Sequence, residues 1–196
     1  MIAAALFRRI SVLLEQAGIP YMLTGSFAST VYGIARGSAD IDFVIAADEE
    51  QITRLLSLLS ENDFYSELNG ALESSRRKSM FNLIDNVSGL KIDLIFLKDR
   101  DFSQEEFRRR KRAQVWGIPL YIATPEDVVL SKLEWAKLGE SHRQIEDAAG
   151  ILKVRSDQLD LPYIEKWVQE LGLAKEWSRA RQLAGVPDEP GFGSTG

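Results

Sequence analysis

At 196 residues, 45% hydrophobic and 27% charged, the chain has room for one core domain carrying a small helical appendage, with the balance of a soluble globular protein rather than a disordered one. The absence of cysteine excludes disulfides and thiolate metal sites, and it fits a reducing, cytoplasmic compartment. A net charge of −5 argues against a generally basic binder of phosphate backbones, and the two basic runs, Arg76 to Lys78 and Arg108 to Arg112, each read by themselves as solvated faces.

The opening MIAAALFRRI places its apolar residues ahead of its arginines, the reverse of a signal peptide, and no run approaches the ~18 apolar residues of a membrane span. Residues 3–17 carry apolar side chains at helical spacing and stop at Gly18, a natural C-terminal cap. A strand in IPYMLTG follows, then a helix from Ser26, a strand in IDFVIA, and a helix in DEEQITRLLSLLSEN, whose leading acids suit its N-terminus. This alternation predicts a mixed α/β beginning. FYSEL reads as a short strand, while MFNLID and LKIDLIFL read as two strands joined by NVSG, loop chemistry of hairpin length that brings antiparallel pairing into the sheet. In SQEEFRRRKRA, Ser103 followed by Glu106 is a capping-box pattern for a short helix, and VWGIPLYIA reads as the final strand. From Thr124 to Gly185 the texture is helical, beginning with a Thr cap and Pro125 in the first turn. The expected class is α/β (α+β). A short mixed sheet flanked by helices spans 1–123, a C-terminal helical unit spans 124–185, and a Pro- and Gly-rich loose tail spans 186–196.

Side chains alternate along a strand, so Asp40 and Asp42 point to one face with Cα atoms about 6.6 Å apart. Such a pair alone is an ordinary exposed strand end. Asp93 changes the reading: in LKIDLIFL it shares a face with Ile95 and Leu97 while Ile92, Leu94 and Phe96 fill the other, so the strand reads as buried on both sides. An acid there needs a partner. If the two strands are neighbours with their acid faces together, Asp40, Asp42 and Asp93 form a hard-oxygen cluster suited to one or two Mg2+ (or Mn2+) ions. Gly25 and Ser26, at a strand-to-helix transition, read by themselves as a turn and a cap, and in combination with the acids as the complementary seat for an anion. Lys132 alone reads as a solvated helix lysine. Arg143 and Asp147 read as an exposed helix pair, and His142 as a solvent-facing residue after a Ser141 cap.

Leu23-Thr24-Gly25-Ser26, thirteen intervening residues, and Asp40-Ile41-Asp42 leading into Phe43-Val44-Ile45 together resemble the motif of the nucleotidyltransferase superfamily typified by DNA polymerase beta. ARGSADIDFVI resembles the form found in AbiEii-like toxins and related bacterial stand-alone transferases, and TPEDVVLSKLEWAKLGESHRQIEDAAGIL is similar to their helical segment. The resemblance covers about residues 20 to 152. It implies that Asp40 and Asp42 ligate metal and that Asp93 completes the site and helps deprotonate an acceptor hydroxyl. It further implies that Gly25 and Ser26 hold a nucleoside triphosphate, with Lys132 reaching the phosphates from a helical wall. Arg36 and Ser38 would support the loop. The implied reaction is transfer of a nucleoside monophosphate to RNA, a small molecule or a protein with release of pyrophosphate, and the toxin branch adds an antitoxin partner. A catalytically silent nucleotide- or partner-binding scaffold of the same fold is the alternative.

Overall fold

The computed structural model describes residues 2–35, 37, 40–60 and 62–186. In chain order these form α1 (Ile2–Gln16), β1 (Tyr21–Thr24), α2 (Gly25–Tyr32), β2 (Asp40–Ile45), α3 (Glu49–Leu58), β3 (Phe64–Tyr65), α4 (Leu68–Arg76), β4 (Met80–Asp85), β5 (Lys91–Phe96), α5 (Asp101–Arg109), β6 (Lys111–Val115) and β7 (Ile118–Ile122). The helices α6 (Pro125–Gly139), α7 (His142–Arg155), α8 (Leu161–Glu170) and α9 (Ala174–Ala184) follow. Two compact units result: Met1–Phe27 with Gly37–Ala123, and Ala28–Arg36 with Thr124–Gly196, the division falling inside α2. Among the described residues no helix is long and apolar enough to cross a membrane.

The first unit is built on a mixed sheet of order β3-β4-β5-β2-β1-β7-β6, in which β2 runs parallel to β5, β1 runs parallel to β7, and the remaining pairs are antiparallel. The period of two sorts its side chains. Tyr21, Leu23, Ile41, Phe43, Ile45, Leu83, Ile92, Leu94 and Phe96 are buried on one face, where α1 contributes Phe7, edge-on to Phe43 at 6.2 Å between ring centroids. Each such side chain is worth about 1.5–3 kcal/mol of apolar burial, and this layer holds the central strands in register. The other face carries Thr24, Asp42, Asn82, Lys91 and Asp93.

One local expectation is met only over two residues and two are corrected. FYSEL yields only the two-residue β3, and the chain then turns into α4, a helix that rests on α3 and β4 rather than on a cap, since Glu67 makes no side-chain capping bond. The capping box at Ser103 does not form: α5 begins at Asp101, Ser103 and Glu106 are buried within it, and the Ser103 hydroxyl accepts a 2.8 Å hydrogen bond from Arg100 Nε. VWGIPLYIA is not one strand. Val115 pairs with Ile118 across a tight turn of Trp116 and Gly117, whose φ angles of 50° and 77° match the type I′ hairpin turn. A tryptophan in the left-handed region is strained, and the contacts of its ring with Phe7 and Phe27, at 5.5 and 5.7 Å, offset that cost.

In the second unit α6 packs on α7, α8 and α9. Its start is the cap expected from Thr124: the hydroxyl accepts from Asp127 N at 3.3 Å and pairs with Asp127 Oδ2 at 2.6 Å. Tyr163 of α8 donates to Asp127 Oδ1 at 2.6 Å, and Asp160 N donates to Glu126 Oε1 at 3.2 Å, so the starts of α6 and α8 are tied together. The tail beyond Val186 lies outside the described residues.

Candidate active site

Alternation alone puts Asp40 and Asp42 on one face, and the sheet supplies the condition that brings Asp93 onto it. β2 and β5 are neighbours in a register that sets Asp42 opposite Asp93 and Asp40 opposite Lys91. Asp40 is exposed, Asp42 half-buried and Asp93 only 6% exposed. A carboxylate that buried needs donors, and both Asp93 oxygens have one: Asn82 Nδ2 from β4 donates to Oδ1, and the Lys91 ammonium lies 3.0 Å from Oδ2. Lys91 also stands 3.8 Å from Asp40 Oδ1. Its hydrogen bond to Asp93 holds the lysine above its usual pKa, with Asp40 and Asp42 acting in the same direction through their charge.

The glycine-serine half of the motif meets the acids at the start of α2. Thr24 pairs with Asp42, so the chain leaves β1 alongside the Asp42 carboxylate and enters the helix at Gly25 and Ser26. Gly25 has φ 66°, and a Cβ added there would overlap the Asp42 carboxylate. Only glycine satisfies both conditions. The first-turn N–H groups of a helix point out of its end, and together with the helix dipole they favour negative charge there.

Among the described residues, no group of three or more Asp, Glu and His side chains is arranged as a metal cage. The donor chemistry nevertheless fits a hard divalent ion: three carboxylates share one face, and a cation, the Lys91 ammonium, already sits against two of them. Lys91 and Asn82 are site residues that the motif by itself does not point to. Lys91 could have been found, since it precedes Asp93 by two residues and therefore shares its face.

Lys132 belongs to the second unit, where its ammonium lies 2.8 Å from Asp147 Oδ2, both side chains 5% exposed. The expected exposed pair of Arg143 and Asp147 is therefore corrected. Arg143 is exposed on α7, whereas Asp147 falls among the buried residues Ile145, Ala148 and Ile151 and meets Lys132 of α6. His142 is solvent-facing, its Nδ1 3.1 Å from Glu146. Arg36 and Ser38 lie outside the described residues. Three arginines of the basic runs are paired with acids: Arg76 binds Glu49 through two hydrogen bonds, Arg77 pairs with Glu73, and Arg108 binds Glu105.

The mixed sheet with its acid-bearing face, and the glycine-serine turn into α2, define a nucleotidyltransferase-like fold, and solved structures with that architecture match this chain. One is the antibiotic-resistance factor ANT(2″)-Ia, with TM-score 0.58 and 13% identity over 92% of this chain and 96% of that one. A second is an antigenic nucleotidyltransferase-like protein from Paracoccidioides brasiliensis, with TM-score 0.53 and 14% identity over 94% and 93%. A third is the lincosamide antibiotic adenylyltransferase LnuA, lincomycin-bound, with TM-score 0.50 and 16% identity over 74% and 95%. No protein-family model and no curated protein sequence matches the chain. At these identities the likeness is one of fold.

Proposed function

We propose that the protein is a magnesium-dependent nucleotidyltransferase that transfers a nucleoside monophosphate from a nucleoside triphosphate to a hydroxyl. The observation that carries this reading is the juxtaposition of Gly25, Asp42 and Asp93: an acid pair in cross-strand register, one member lying against a glycine at a helix start. Gly25 and Ser26 bind the triphosphate through the start of α2. Asp40, Asp42 and Asp93 would hold the metal, which would supply positive charge to offset that of the phosphates. Asp93, oriented by Asn82, takes the proton of the acceptor hydroxyl as its oxygen bonds to the α-phosphorus and the bond to pyrophosphate breaks. The phosphate contact of Lys132 belongs to this proposal, its ammonium being paired with Asp147 through one of three N–H donors.

Two structures of like fold are those of an antibiotic-resistance factor and a lincosamide adenylyltransferase, and this supports a small-molecule acceptor. The likeness of the motif to AbiEii-like toxins extends the proposal to a toxin-like role with an antitoxin partner, for which growth arrest on expression of the wild type but not of Asp42→Asn is the expected sign. The enzymatic test is pyrophosphate release from each nucleoside triphosphate with Mg2+ and a panel of hydroxyl acceptors. Asp42→Asn and Asp93→Asn are expected to lose at least about a hundredfold, ~2.7 kcal/mol of barrier. Unchanged turnover in either variant would refute the reading, and nucleotide binding without turnover under any acceptor would favour the silent scaffold.

A further inference from the structure

We infer that Lys91 is a tethered counter-ion of the acid cluster: it holds Asp93 and Asp40 together in the metal-free chain and has to leave Asp93 before a divalent ion binds there. Lys91 thereby sets how tightly the metal is held. The inference rests on the reading of Asp40, Asp42 and Asp93 as the metal site.

The geometry makes the lysine the one removable partner of Asp93. Oδ1 is occupied by the Asn82 amide, and Oδ2 by the Lys91 ammonium at 3.0 Å. Asn82 is neutral and fixed in register opposite Asp93 by the β4–β5 pairing, so it orients the carboxylate without competing for a cation's charge. Lys91 does compete. It brings one positive charge to a face carrying three carboxylates, its reach extends to Asp40 at 3.8 Å, and its side chain is 39% exposed, which leaves a path into solvent. The compact ammonium on a flexible stem releases more readily than a guanidinium, which would grip a carboxylate through two parallel N–H bonds. Asp85 provides the contrast within the same sheet. That buried acid is held by Arg9 at 3.0 Å and by the Ser88 N–H and hydroxyl of the β4–β5 turn, on the opposite, helix-covered face, and is wholly committed to structure.

The test is titration of the full-length protein with Mn2+, followed by calorimetry and by thermal unfolding with and without the ion, for wild type, Lys91→Met and Lys91→Arg. Lys91→Met is expected to bind Mn2+ about tenfold more tightly, ~1.4 kcal/mol, while its metal-free form melts below wild type and regains stability on adding the ion. Lys91→Arg is expected to bind no more tightly than wild type. Equal or weaker Mn2+ binding by Lys91→Met, with measurable binding to wild type, overturns the counter-ion role and leaves the metal site standing. Absence of Mn2+ binding in both wild type and Lys91→Met, with and without nucleoside triphosphate, overturns the metal-site reading and this inference with it.

Discussion

Gly25 shows how much a single position determines at this site. Its φ of 66° alone costs a side-chain-bearing residue about 1–2 kcal/mol, and the overlap of an added Cβ with the Asp42 carboxylate adds displacement of that acid. Gly25→Ala is therefore expected to lose more stability than backbone strain alone would remove, and to lose nucleoside triphosphate binding. Gly18→Ala has a similar φ of 71° but meets only Gln51 Nε2 at 3.9 Å, and should suffer the backbone strain alone. Urea midpoints and nucleotide calorimetry on the two variants separate these effects, and equal losses would show that Asp42 does not depend on Gly25. The sequence made Asp40, Asp42 and Asp93 legible because alternation assigns each to a face. It left Asn82 unread because a partner on a neighbouring strand has meaning only once the register is known, whereas Lys91, two residues before Asp93 on the same strand, was open to the same alternation argument.

At the scale of elements, α3 and α6 start where the sequence marks them, whereas the capping box read at Ser103 did not form. Thr124 followed by Pro125 starts α6, and Asp48 forms a full capping box with Gln51 at the start of α3. Thr124→Ala should cost about 1–2 kcal/mol, since the residue also engages Asp127; a loss below a few tenths in denaturant unfolding would show the cap to be redundant. The ion pair between α6 and α7 matters more to stability. Lys132→Met removes a close cationic partner of the buried Asp147 carboxylate, so it is expected to destabilise by up to about 3–5 kcal/mol. The double variant Lys132→Met, Asp147→Leu should recover much of that loss. Failure of the double variant to recover would assign the cost to packing of the lysine stem. By contrast, α4 and the turn at Trp116 and Gly117 were hidden, because the first is held by α3 and β4 and the second by aromatic rings distant in sequence.

Over the whole molecule, each unit carries a tyrosine whose ionisation opposes folding. Tyr21 is pushed up to about 12 by burial, with Glu15 adding to the effect. Tyr32 is also pushed up to about 12 by burial, against the pull of Arg155 and with the help of Glu126 and Asp127. Between pH ~10 and ~12 the unfolded chain loses these protons while the folded chain keeps them. Stability accordingly falls as pH rises, by at most ~1.4 kcal/mol per pH unit for each group. Absorbance titration should show two tyrosines ionising late or only with unfolding, and Tyr21→Phe should flatten the alkaline decline of the melting temperature. An unchanged pH profile in that variant would remove Tyr21 from the explanation.

By itself the sequence determined the mixed α/β class, the shared face of Asp40 and Asp42, the glycine-serine turn and the well-capped helices, because capping, periodicity and turn chemistry act within a few residues. Only the tertiary structure decided that Asp42 faces Asp93, that Lys91 stands between Asp93 and Asp40, and that Asp147 turns inward to Lys132. Those contacts depend on strand order, register and helix packing, which arise from burying one face of the sheet and the inner faces of the helices together.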